Sequence, residues 1–194
     1  MATRSVIARP SDDGGWEGRY IQHDGYPEHH LPFLLAAQQY RFGADAAALA
    51  CHLIDGHPAG WDILGADLAQ APGPLNDFLL AIGDPHSECF CHDWDAQPAP
   101  LITDDPQDDW DNLPWAYVLR PEGIEVISTQ RDPQDLRGPV VTWSTHPQTV
   151  FTERQFLAWQ PATAPAPRPV RHRAPSETAK ATTAVLISRR TPRR

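Results

Sequence analysis

The chain has 194 residues, 41% of them hydrophobic, with seven Trp, three Cys and a formal charge of −9. That suits one domain with an appendage. It offers no run of ~18 apolar residues for a membrane span, and three irregularly spaced Cys do not suggest a disulfide framework. The opening MATRSVIARP has no signal-peptide apolar region, so a cytoplasmic location without membrane contact is expected. Charge is uneven: residues 161–194 carry +7 and residues 1–160 carry −16. An acidic body repels nucleic acid, whereas the basic tail invites weak contact with it.

In chain order, TRSVIAR (3–9) and Trp16–His23 read as two strands of a hairpin across the turn PSDDGG. Asp24-Gly25 signals a tight turn, and Pro27 holds Tyr26 out of helical geometry. Leu31–Tyr40 has helical spacing, Pro32 suits its first turn, and Arg41-Phe42-Gly43 breaks it. A second helix over Asp45–Ile54 is capped by Asp45 and stopped by Gly56. Residues 57–111 are rich in breakers and read as an irregular acidic insertion, ending in the acidic loop DDPQDDWD. WAYVLR, Pro121-Glu122-Gly123 and IEVIST form a second hairpin, followed by a strand over Val140–Thr145. Thr152 and Gln155 have capping-box spacing, and Phe151 and Phe156 the placing of a hydrophobic staple, for a last helix. Beyond Pro161 the Pro/Ala/Arg-rich composition predicts disorder.

The expected fold is therefore α+β: a single domain over 1–160 and a basic tail over 161–194. Its sheet is expected to be mostly antiparallel, of about five strands, with two helices packed on one face.

Two groups of side chains offer chemistry. Tyr20, His23, Asp24 and Tyr26, with His29 and His30 close by, cluster where strand, turn and helix meet, as acid, base or nucleophile candidates. The bland alternative is a solvated corner in which Glu28 supplies the anion that the helix N-terminus attracts. His86, Cys89, Cys91 and His92 carry soft and borderline donors suited to zinc, although C-x-C is not a usual zinc spacing. Cys51 and His52 join them only if folding brings them close. Thr3 or Ser5 on the first strand invites comparison with an N-terminal nucleophile, although removal of Met1 exposes Ala2, and no phosphate-loop, nucleophile-elbow, zincin or dinucleotide motif is present.

TRSVIARP, GWEGRYIQHDGYP, HPAGWDIL, CFCH and WAYVL together resemble a family of small proteins from high-GC actinobacteria and their phages. The GRY-x-x-x-DGYP corner is the most specific part, and the resemblance implies a source without an activity. The leading expectation is a small acidic accessory or interaction protein with a protein partner. The alternatives are a hydrolase-like enzyme at the 20–30 corner, metal-dependent or not, and a DNA-associated factor or DNA mimic.

Overall fold

The computed structural model describes residues 3–93, 96–105, 112–130 and 136–160. Most of the predicted acidic loop and all of the predicted tail lie outside them. Among the described residues there are eight strands: β1 (Ser5–Pro10), β2 (Trp16–Ile21), β3 (Trp61–Ile63), β4 (Glu88–Cys89), β5 (Ile102–Thr103), β6 (Trp115–Arg120), β7 (Gly123–Ser128) and β8 (Val140–Thr142). Four α-helices accompany them there: α1 (Pro27–Ala36), α2 (Ala46–Ala50), α3 (Gly73–Ile82) and α4 (Glu153–Leu157). Both α1 and α2 widen at their C-terminal ends into π turns, Ala37–Arg41 and Cys51–Asp55.

The sheet order is β4-β3-β2-β1-β6-β7-β8, with β5 added on β2. The α+β class holds, but the expected sheet of about five mostly antiparallel strands is corrected to a mixed one of eight. Two hairpins, β1–β2 and β6–β7, meet side by side with β1 parallel to β6, Ser5 opposite Trp115. The parallel pair β2–β3, Ile21 opposite Trp61, and the short β4 and β5 come from the stretch expected to be irregular. Strands of two or three residues are too short to display an alternating pattern, so the sequence hides them.

Strand alternation divides the core. Ile7, Ile21, Trp115, Tyr117, Leu119, Ile124 and Val126 face Leu31, Leu34, Leu35, Leu49, Leu53 and Ile54 of the first two helices. On the other face Val6, Ala8, Trp16, Ala116, Val118 and Ile127 pack against Leu113 and Leu136 from loops, with Tyr20 and Ile102 at the margin. A third cluster joins Phe33 and Ala36 on the far side of α1 to Ala66, Ala69, Leu75 and Leu79. Covered by the sheet on one side and α3 on the other, α1 is apolar nearly all round, as a sandwiched helix must be.

The helix bounds differ instructively from expectation. Proline 27 opens α1, four residues before the predicted start, and Pro32 lies inside the helix. Tyr26 is extended at the N-cap, as a residue before Pro should be, and its carbonyl accepts from His29 and His30. Asp45 caps α2 as expected, its carboxylate accepting from the amides of Ala47 and Ala48 at 2.9 and 3.0 Å. Thr152 makes no side-chain cap on α4, so the predicted capping box does not form. Instead the amide of Glu153 donates to the Glu28 carboxylate of α1 at 2.6 Å. Glu28 thus serves the start of α4, with which the 20–30 corner had no visible link in the sequence.

Candidate metal centre

The 20–30 corner separates into three environments. Tyr20 packs against the cluster on the sheet face away from the helices, its hydroxyl donating to Gln22. His23 extends past β2, where its amide donates to the Asp62 carbonyl and its Nε2 lies 3.5 Å from the Asp62 carboxylate. Asp24 takes the left-handed conformation, with φ 54°, that the turn requires. Tyr26 hydrogen-bonds Asp24, and burial first, then this carboxylate, holds its phenol above the usual range. Asp24 and Tyr26 therefore meet, while His23 pairs elsewhere and Tyr20 is on the opposite face.

The neighbouring histidines are not solvated. His29 and His30 are buried, 1% and 0% exposed. Ser5 Oγ lies 3.0 Å from His30 Nε2, and His30 Nδ1 lies 3.2 Å from His29 Nδ1. Tyr117 stacks beside His30 and donates to the Gly25 carbonyl at 2.8 Å. This polar string ties the first strand, the turn and α1 to β6. Ser5 is 0% exposed, which removes it as a nucleophile for any outside substrate. Burial depresses the His29 pKa to about 4 and pushes His30 down as well, so both rings are neutral at ordinary pH.

Chemistry gathers instead where the inserted segment joins the sheet. β4 lies antiparallel to β3 with Cys89 opposite Trp61, and a bulge separates Trp61 from Ile63. Immediately after Cys89 a 3₁₀ turn over Phe90–His92 curls the chain back, carrying Cys91 beside Cys89. The backbone N–H groups of Cys91 and His92 donate to Cys89, whose own thiol donates to the Cys91 side chain. Burial pushes the Cys89 thiol up, while the backbone N–H groups pull it down.

The third member comes from the turn before β3. Gly60, at φ 87°, closes it, its amide donating to the His57 carbonyl, and a Cβ there would press on the Tyr20 carbonyl at 2.9 Å. Only glycine suits such a site. The turn lays His57 on the Trp61 ring, centroids 3.9 Å apart. One ligand atom each from His57, Cys89 and Cys91 then lies within 4.8 Å of the other two. Nδ1 of His57 is buried without a hydrogen-bond partner. Burial, aided by His52, His92 and Arg41, depresses the His57 pKa to about 4, leaving a neutral imidazole with a free lone pair. Metal ligation requires that form.

His52, on the π turn after α2, stands edge-on to His57 with centroids 5.1 Å apart. Phe42 supports its other side at 5.3 Å. Of the four predicted metal ligands, the structure brings Cys89 and Cys91 together. His92 follows them on the same turn, outside the three-residue group. His86 is exposed, lies 3.8 Å from Asp67 and stands outside the group, in which the histidine is His57. A readable signal for His57 was present: His52 and His57 form H-x₄-H, a common zinc spacing. Around this centre Arg19 donates to the carbonyls of Ile54 and Ala99, and the Ala99 amide donates to Pro58, fastening the ends of the insertion.

No protein-family model, curated protein or solved structure matches the chain. The site is accordingly read from its own chemistry.

Proposed function

We propose that this chain is a small zinc-binding accessory protein, with His57, Cys89 and Cys91 as three ligands. The observation that carries this reading is the convergence of two sulfurs and one imidazole nitrogen within 4.8 Å. Zinc bonds of about 2.0–2.3 Å in a tetrahedron set ligand atoms about 3.3–3.8 Å apart, within a small adjustment of that spacing. The unpartnered His57 Nδ1 and the amides on Cys89 support it further, because such donors steady a thiolate that binds metal.

Two thiolates beside an imidazole suit a structural ion. It would cross-link the His57 turn and β4, holding the insertion against the sheet edge. The hydrolase-like alternative draws no support from the corner, whose four candidates do not share one face.

The test is metal content of reduced protein purified without chelator, with cobalt substitution as a spectroscopic check. One zinc per chain is expected, lost in Cys89→Ser and Cys91→Ser, with thiolate-to-cobalt absorption in the substituted wild type. Removing an ion present at about 1,000 times its dissociation constant forfeits about 4 kcal/mol, a fall in Tm on the order of 10 °C. A metal-free chain whose Tm ignores chelator overturns the proposal.

A further inference from the structure

Building on the zinc reading, we infer that Cys89 and Cys91 form a reversible disulfide with a hydroperoxide, and that this oxidation expels the metal. The two free thiols share one turn, their sulfurs lie within 4.8 Å of each other, and neither is fully buried. The 3₁₀ turn that brings Cys91 back on Cys89 serves metal binding and disulfide closure equally. Cys51 is exposed on the π turn, away from this pair in sequence, so the chain has one vicinal pair and one separate thiol.

The step balances as follows. One thiolate attacks the O–O bond of the hydroperoxide, becoming a sulfenic acid and releasing hydroxide or alkoxide. The second thiolate displaces hydroxide from that sulfur and closes the S–S bond. Two electrons pass from the sulfurs to the peroxide, and solvent protons take up the oxyanions released. The disulfide has no thiolate charge left for zinc, so the ion leaves with only the His57 imidazole to hold it. A dithiol reductant reverses the oxidation by exchange.

Release would act on the segment the ion clamps. Without the ion the segment keeps the short β3–β4 pairing, the Phe90 amide on the Gly60 carbonyl at 3.2 Å, the Ser87 contacts with Gly65 and Asp67, and the Asp84 and Pro85 carbonyls that accept from Ala66 and Asp67. Local opening of residues 84–93 therefore becomes easier while the central strands stay closed.

The experiment uses the full chain carrying Cys51→Ser, so that any disulfide within one chain joins Cys89 to Cys91. Reduced, zinc-loaded protein is treated with stoichiometric hydrogen peroxide in the presence of a chromogenic zinc chelator. One zinc released per disulfide formed is expected, with an 89–91 linkage in peptide mass spectra and faster amide exchange in 84–93. Dithiothreitol plus zinc should restore the starting state. Zinc retained after peroxide is consumed overturns the inference and leaves the zinc reading standing. Conversion to sulfinic acids without a disulfide, or linkage only between chains, also overturns it. Reduced protein that binds no zinc removes both.

Discussion

His29 and His30 occupy adjacent positions and share one hydrogen bond, yet only His30 has partners on both nitrogens. One consistent tautomer pattern has His29 Nδ1–H donating to His30 and His30 Nε2–H donating to Ser5 Oγ. His29 Nε2 is then left as a bare, buried acceptor, which fits its lack of a partner. Protonation would place charge where no water reaches. The folded pKa of about 4 lies below the ordinary 6.5, so the unfolded chain binds more protons between those values. Stability is therefore full above pH 6.5 and falls as pH drops toward 4, by on the order of 3 kcal/mol from His29. His29→Gln, which keeps a polar atom toward His30 and does not titrate there, should flatten the slope of denaturation free energy between pH 7 and 4. An unchanged slope would assign it to other groups. Gly83 bears on the same ring: a Cβ there would meet His29 Nε2 and Phe33 inside 3.0 Å, whereas one at Gly73 meets nothing within 4 Å. Gly83→Ala should cost about 1–3 kcal/mol by overpacking, and Gly73→Ala should be neutral or stabilising by about 0.4–1 kcal/mol, both read by urea unfolding. Trp16, 1% exposed, and His23, half-exposed, make a second pair: about 3–5 kcal/mol for Trp16→Ala and less than about 1 kcal/mol for His23→Ala.

At the scale of elements, α4 depends on a distant residue. Its five residues are too few to hold themselves as a helix. Phe151 and Phe156 give it an apolar anchor, with rings 6.4 Å apart, and Glu28 fills the donor end that Thr152 leaves open. Glu28→Ala should cost about 1 kcal/mol, as loss of a cap does, and raise amide exchange over 153–158 without disturbing β6 and β7. Exchange spread evenly over the molecule would contradict that role. The sequence exposes elements whose information is local. Asp45 before a run of Ala predicts its own cap, and the strand-forming runs WAYVLR and IEVIST on either side of Pro121-Glu122-Gly123 predict a hairpin, with Arg120 opposite Gly123. It conceals elements whose information lies elsewhere. Thr152 and Gln155 spell a capping box, but a carboxylate from α1 reaches the amide instead. The metal candidates follow the same division. Cys89 and Cys91 are two residues apart and easily suspected. His57 is brought to them by a glycine turn and a two-residue strand, with only the H-x₄-H spacing as a local sign.

For the whole molecule, the consequential placement is that of β1. The strand read as the first arm of an opening hairpin is central, with β2 on one side and β6 on the other. Hydrophobic residues on both its faces, Ile7 toward the helices and Val6 and Ala8 away from them, were consistent with such burial but did not name the second neighbour. Parallel pairing leaves no turn signal between its partners, which is why the sheet's size and mixed character were not legible. The position of β1 also sets an order of events for a chain emerging from the ribosome. The first hairpin can close early, but the free side of β1 stays open until the residues from Trp115 onward have been made. Throughout that interval the nascent chain presents an unpaired apolar strand edge, the kind of surface that sticks to its copies. A fragment of residues 1–112 should accordingly aggregate when expressed alone and become soluble when a fragment of residues 113–194 is co-expressed. A monomeric, folded 1–112 fragment would show that the first half closes without its central neighbour.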